Sequence, residues 1–165
     1  MNTEGLCLQA RYNQWMNERL YAATASLPEA VRRRDLGAFF KSLHGTFNHI
    51  LLVDRLWIGR MTGHLCHFDS LDQELYRDFE QLRTQQRETD ADLLHRVRAL
   101  TAQQLTRRID YISLMTGQPK SLQLGTLLTH VFHHQTHHRG QITTLLSQLG
   151  VDFGETDMIW MPDVN

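Results

Sequence analysis

Apolar residues recur at three- and four-residue spacing through four long stretches of the chain, the pattern of amphipathic helices packed against one another. The first stretch covers residues 4–25, with Leu8, Tyr12, Trp15, Met16, Leu20 and Ala23 on one face, and it ends ahead of Ser26-Leu27-Pro28. A second helix is predicted to begin at Asp35 as N-cap and to run to residue 61, closed by Gly63. Ser70-Leu71-Asp72-Gln73 reads as a capping box opening a third helix that extends to residue 100. Its apolar stripe is Leu75, Phe79, Leu82, Leu93, Val97 and Leu100, and its polar middle, residues 83–92, is expected to face solvent. Residues 101–121 break the helical period. Rough alternation over 106–114, followed by Thr116-Gly117-Gln118-Pro119, predicts a short extended hairpin. The fourth helix covers residues 121–149 and stops at Gly150. Together these elements predict an all-α protein, a four-helix bundle in one domain over residues 1–165, with the hairpin before the last helix.

Some polar residues fall on the apolar faces. In the second helix Lys41, His44, Asn48, Arg55 and Gly59 share one side, so His44 is expected to be exposed, whereas His49 lines up with Leu52, Val53 and Leu56. Asp54 lies in the same apolar arc. A buried acid and a buried histidine both need partners. The fourth helix carries five of the ten histidines. With His130 set to zero on a wheel, the apolar positions Leu124, Leu127, Leu128, Val131, Ile142, Leu145, Leu146 and Leu149 fall between about 60° and 160°. His138 sits at about 80° and His134 at about 40°, while His137 and His133 lie at about −20° and −60°. His138 therefore points into the core and His134 lies at its edge. His133 points away, and His130 is intermediate.

Composition narrows the classes of function. A net charge of −1 from 17 basic and 18 acidic residues gives no electrostatic case for nucleic-acid or membrane partners. The run Arg32-Arg33-Arg34 reads as a solvated connector. The N-terminal residues lack a basic segment followed by an apolar run, and no stretch is apolar enough to span a bilayer, so the cytoplasm is the expected location. Cys7 and Cys66, far apart and outside any CxxC, are not expected to pair.

His134 and His138, four apart on one helix, place two imidazoles on the same side one turn apart, the spacing that lets both bind one metal ion. Such a pair alone is weak evidence. A third inward-facing histidine, His49 on the second helix, completes a three-histidine set if the two helices pack side by side. Three protein ligands leave a position open, the arrangement of catalytic rather than structural zinc, and imidazole suits zinc, nickel, iron or copper. His64 and His67 read as loop residues and His95 as a surface residue. Asp54, Glu155 and Asp157 are candidate general bases or partners of the histidines, with a capping or surface role equally open. Tyr12 and Trp15 are either pocket residues or plain core.

The run Phe47-Asn48-His49-Ile50-Leu51-Leu52-Val53-Asp54-Arg55-Leu56-Trp57, followed downstream by His130, His134 and Thr136-His137-His138-Arg139-Gly140-Gln141, resembles the DinB-like family of small bacterial proteins. Tyr12-Asn13-Gln14-Trp15 and Gly154-Glu155-Thr156-Asp157 extend the likeness over the whole chain. The resemblance implies a four-helix bundle, commonly a homodimer, with a divalent metal, zinc or nickel foremost, on the histidines matching His49, His134 and His138. His133 departs from the family pattern, which often has asparagine there. His130 is left as a supporting donor, an alternative ligand or a surface histidine. The wider superfamily includes transferases and isomerases that use bacillithiol or mycothiol. The resemblance therefore implies a thiol S-transferase acting on electrophilic small molecules, with a low-molecular-weight thiol as cosubstrate. A metal-dependent hydrolase and a non-catalytic metal-binding protein of the stress response are the alternatives.

Overall fold

The structure is a computed structural model and describes residues 2–64 and 66–164. Four long helices dominate it: α1 (Thr3–Ala25), α3 (Leu43–Thr62), α4 (Phe79–Arg98) and α6 (Leu124–Gln148). Short helices α2 (Glu29–Arg32) and α5 (Ala102–Leu105) fill connections, and a 3-10 turn (Met158–Trp160) lies in the C-terminal tail. Strands β1 (Arg108–Ile112) and β2 (Pro119–Gln123) form the antiparallel hairpin, in register from Arg108 opposite Gln123 to Ile112 opposite Pro119. The long helices pack in the ring α1–α4–α3–α6, each against two neighbours. No described helix is long and apolar enough to cross a membrane.

Side chains at the helix starts explain where the helices begin. Asn2 accepts from the Gly5 amide, Ser42 from that of Gly45, and Asp78 from that of Gln81, each satisfying an otherwise orphaned N–H. Two of these starts correct the sequence reading. The second long helix begins at Leu43, not at Asp35, because Asp35 spends its carboxylate on the Gly37 amide (2.9 Å) in a tight turn. Gly37 and Lys41 both have positive φ there, 78° and 67°. That turn folds Phe40 back onto the start of α3 so closely that a Cβ on Gly45 would lie 2.3 Å from the Phe40 carbonyl oxygen. The third long helix begins at Phe79, not at Ser70. The Ser70 hydroxyl instead bonds Asp72 (2.6 Å) and the Asp69 amide bonds the Gln73 side chain (2.9 Å), so the capping residues build a loop.

The buried face of α1 is Leu6, Ala10, Asn13, Met16, Asn17, Leu20, Tyr21 and Thr24, with Tyr12 and Trp15 as a half-buried flank. Two apolar clusters make up the core. One contains Leu52, Trp57, Leu93, Leu127 and Val131, the other Leu20, Phe47, Leu51, Leu82 and Ile142. Between them along the helices lies a layer of buried polar side chains: Asn13 and Asn17 from α1, Asp54 from α3, Gln86 and Asp90 from α4, Gln135 and Arg139 from α6. Residues 83–92 are therefore not wholly a solvent face, since Gln86, Thr89 and Asp90 point inward. Inside the layer Gln86 donates to both carboxylates, Asp54 (2.9 Å) and Asp90 (3.1 Å). Asn13 donates to Asp90 (3.0 Å) and accepts from Arg139, while Gln135 donates to Asp54 and accepts from Arg139 (3.3 Å). Two amides thus relay one guanidinium to two acids. Burial pushes both carboxyls up, Asp90 to about 7 and Asp54 well above its ordinary range, the latter also through the Asp90 charge.

Candidate metal centre

At the level of this polar layer, α3 and α6 bring three histidines together on the outer side of their seam. His49 Nε2 lies 3.1 Å from His134 Nε2, and His138 Nε2 lies 3.1 Å from the same atom. The three nitrogens fall within 4.8 Å of one another. His49 and His138 are buried and His134 is partly so.

The far side of two of the rings decides what their nitrogens carry, while His134 Nδ1 is buried without a partner among the described residues. His49 Nδ1 is 2.7 Å from the Leu71 carbonyl and His138 Nδ1 is 2.8 Å from Gln141 Oε1. A carbonyl oxygen only accepts, so both Nδ1 atoms hold the proton and both Nε2 atoms present a lone pair. Burial drives the rings further toward neutrality, lowering His49 to about 4 and His134 to about 3, with the neighbouring histidines adding to the shift in His134. A proton on His134 Nε2 serves only one of its two contacts. A divalent cation serves all three nitrogens. Three nitrogens bound to one zinc at about 2.0–2.1 Å on tetrahedral axes stand roughly 3.3–3.4 Å apart, close to the spacing here, so the donor set fits such an ion.

The local sequence explains the placement. Asn48, buried beside His49, accepts from the amides of Leu75 (2.8 Å) and Tyr76 (3.0 Å) and donates to the Tyr76 carbonyl (3.1 Å). It ties the irregular segment before α4 to α3 and so brings the Leu71 carbonyl to His49. His44, expected to be exposed, is also buried, because its Nε2 bonds the same Tyr76 carbonyl (2.9 Å). The Phe40 ring stacks on His49 at 3.8 Å, and this follows from the Asp35–Lys41 turn that the periodicity did not reveal. The Asn48 amide also donates to the His44 carbonyl one turn back (3.2 Å), but its oxygen has no free amide on its own helix to accept from, and that is the signal that could have located the clamp.

The centre opens into a cavity of about 670 Å³ bounded by Phe39, Phe40, Leu71, Asp72, Met115, His137 and Gln141. The other sequence candidates stand elsewhere. Asp54 is sealed in the polar layer against Gln86 and Gln135. Glu155 and Asp157 are exposed in the tail and do not bound the cavity. Tyr12 bonds the Thr156 carbonyl (2.6 Å) and, like Trp15, is absent from the cavity wall. His130 lies outside the nitrogen cluster, its ring edge-on to Trp57 (5.2 Å) and 6.0 Å from His134. His133 is exposed, as are His64 and His67.

Comparison with known proteins places the fold and the family. The Protein DinB of Bacillus subtilis (strain 168) is 28% identical over 153 residues, covering 88% of this chain and 87% of that protein. The crystal structure of a DinB-like protein from Bacillus cereus ATCC 10987 superposes with a TM-score of 0.71 at 18% identity, covering 92% of this chain and 95% of the other, which shows a shared fold. The DinB family pattern itself matches residues 1–165. With its bundle, its three converging histidines and a match over its whole length, this chain belongs to the DinB family.

Proposed function

We propose that His49, His134 and His138 hold one divalent metal ion, zinc or nickel foremost, and that the protein is a thiol-dependent S-transferase acting on electrophilic small molecules. One observation carries the metal reading. Two of the three converging nitrogens carry lone pairs fixed by carbonyl partners on the far side of their rings, an arrangement in which one cation serves all three nitrogens and a proton on His134 serves only one contact. The S-transferase reading is drawn from the family. A metal ion in such a site acts as a Lewis acid that lowers the pKa of a bound thiol or water into the neutral range. The chain itself supplies the rest. Leu71 and Gln141 orient two of the rings, Phe40 covers the face of His49 away from water, and the cavity admits a small molecule beside the histidines. In the transfer, the thiol's proton leaves to solvent and its sulfur forms the new bond to the electrophilic carbon as the bond from that carbon to its leaving group breaks, the leaving group departing with the electron pair.

A hydrolase is the second reading, favoured by Asp72. Its exposed carboxylate bounds the cavity and is kept ionised, held below the usual range first by the Ser70 hydroxyl, so it is placed to accept a hydrogen bond from a water and orient it, though as a weak base. A third reading keeps the metal and removes the chemistry, leaving a binding protein of the stress response.

The deciding experiment begins with metal content by mass spectrometry on tag-free protein, beside His49→Ala, His134→Ala and His138→Ala, with exposed His133→Ala as control. About one ion per chain in wild type and control, lost in the three variants, supports the site. Equal metal in all five, or none after reconstitution, removes it. Turnover of an electrophile only when a low-molecular-weight thiol is added favours the transferase. Thiol-independent turnover favours the hydrolase, and none of either favours the binding protein.

A further inference from the structure

The wall of the cavity carries information about what enters it. Phe39 is 83% exposed and Met115 79% exposed, which leaves two large apolar side chains of the cavity wall in water. They come from separate parts of the chain, Phe39 from the Gly37–Lys41 turn and Met115 from the hairpin connection between β1 and β2. Phe40 and Leu71 continue the apolar surface inward to the histidines, and Phe39 meets Phe40 edge to face at 4.9 Å. The charged groups are one-sided. Among the described residues no lysine or arginine bounds this cavity, whereas the Asp72 carboxylate does. The charge of Lys41 reaches Asp72 without its side chain joining the wall.

Resting on the metal reading above, we propose that the site takes a substrate with an apolar, ring-sized body, which lies against Phe39 and Met115 while its reactive end meets the three histidines. A cavity of about 670 Å³ holds a molecule of that size, within the range of small-molecule pockets of roughly 300–1,000 Å³. Away from the metal, whose own charge governs the reactive end, the wall offers the body of a substrate apolar side chains and, among the described residues, no guanidinium or ammonium partner, so selection for an apolar body acts there. The thioether of Met115 adapts to varied shapes, and the Phe39 ring offers a face to any flat apolar body, so the selectivity is for polarity rather than for one outline.

Small thiols that reach the metal through sulfur read out the wall directly. Zinc-loaded protein, its metal content measured, is titrated calorimetrically with phenylmethanethiol, 2-hydroxyethanethiol and ethanethiol. The expected result is phenylmethanethiol binding about tenfold or more tighter than either of the others, as one buried aromatic contact supplies. Phe39→Ser and Met115→Ser, both surface changes that leave folding intact, are each expected to remove most of that preference with metal content unchanged. Equal binding of 2-hydroxyethanethiol, or a preference that survives in both variants, overturns the proposal while leaving the metal site standing. So does a change of oligomeric state in Phe39→Ser without loss of thiol affinity, because the apolar rim is then covered by a second copy of the chain. Failure of the wild-type protein to hold zinc overturns the metal reading and this one together.

Discussion

His138 and Gln141 form a pair one turn apart on α6, with the ring Nδ1 donating to the side-chain carbonyl at 2.8 Å, whereas the equivalent donor of His49 is tied to a backbone carbonyl. The orientation of one histidine is thus open to mutation at its partner. Gln141→Ala is expected to weaken metal binding about 10- to 100-fold, while Gln141→Glu, which still accepts the hydrogen bond, should retain it. Competition against a chelator of known affinity measures both. Equal affinity in Gln141→Ala and wild type would show that packing alone sets the ring.

Removing the metal should leave the bundle standing. Two apolar clusters and the helix caps lie outside the centre, so binding is expected to raise stability only by mass action, about 2.7 kcal/mol at a free-ion concentration one hundred times the Kd. Helical circular dichroism followed with temperature, with and without chelator, should show a lower Tm at unchanged helix content. Loss of the helical signal at ambient temperature on chelation would assign the ion a structural role instead.

Acid should displace the metal late. A free imidazole takes up its proton near pH 6.5, but burial lowers His49 to about 4 and His134 to about 3, so protons compete poorly with a cation until well below neutrality. The sign for folding follows from the same shifts. The unfolded chain gains protons below about pH 6.5 while the folded metal-free chain does not, so these two rings contribute stability that is present above that pH and is lost as pH falls toward about 4. Metal content after equilibration across pH 4–7 is expected to hold to about pH 5. Release centred near 6.5 would contradict the shifts.

Asp90 works in the opposite direction. Its carboxyl is pushed up to about 7 by burial, against an unfolded value near 3.9, so between those pH values the folded protein keeps a proton that the unfolded chain has lost. Its contribution is therefore greatest below about pH 4 and declines by up to about 1.4 kcal/mol per pH unit until about pH 7. Asp90→Asn, which copies the protonated acid in shape, should remove this decline. Urea denaturation of both proteins at pH 5 and pH 8 tests it: the variant should gain on wild type at the higher pH, and parallel behaviour would mean that the proton is not held there.

The histidine triad was legible because it obeys a local rule. The spacing of His134 and His138 and the phase of His49 among Leu52, Val53 and Leu56 are properties of single helices, and the long apolar stripes fixed how those helices face one another. What the periodicity missed was settled between elements. Asp35 and Ser70 carry capping chemistry as good as that of Ser42 and Asp78, yet they close turns, because Gly45 admits the Phe40 carbonyl in one case and Asn48 ties down the segment at Leu75 and Tyr76 in the other. His44 and Asn48 looked like a wet face for the same reason: the segment that covers them has no period of its own.

The polar layer between the two apolar clusters also governs alignment along the bundle axis. Leucine against leucine is nearly degenerate to sliding, and a slip of one helical turn, about 5.4 Å, exchanges one set of apolar neighbours for another at little penalty. Gln135 against Asp54 and Arg139 against Asn13 are not interchangeable in that way, and each stands next in sequence to one of the paired histidines. The layer acts as an index mark between α6 and its neighbours. It makes the height of His134 and His138 relative to His49 a matter of hydrogen-bond identity rather than of apolar fit.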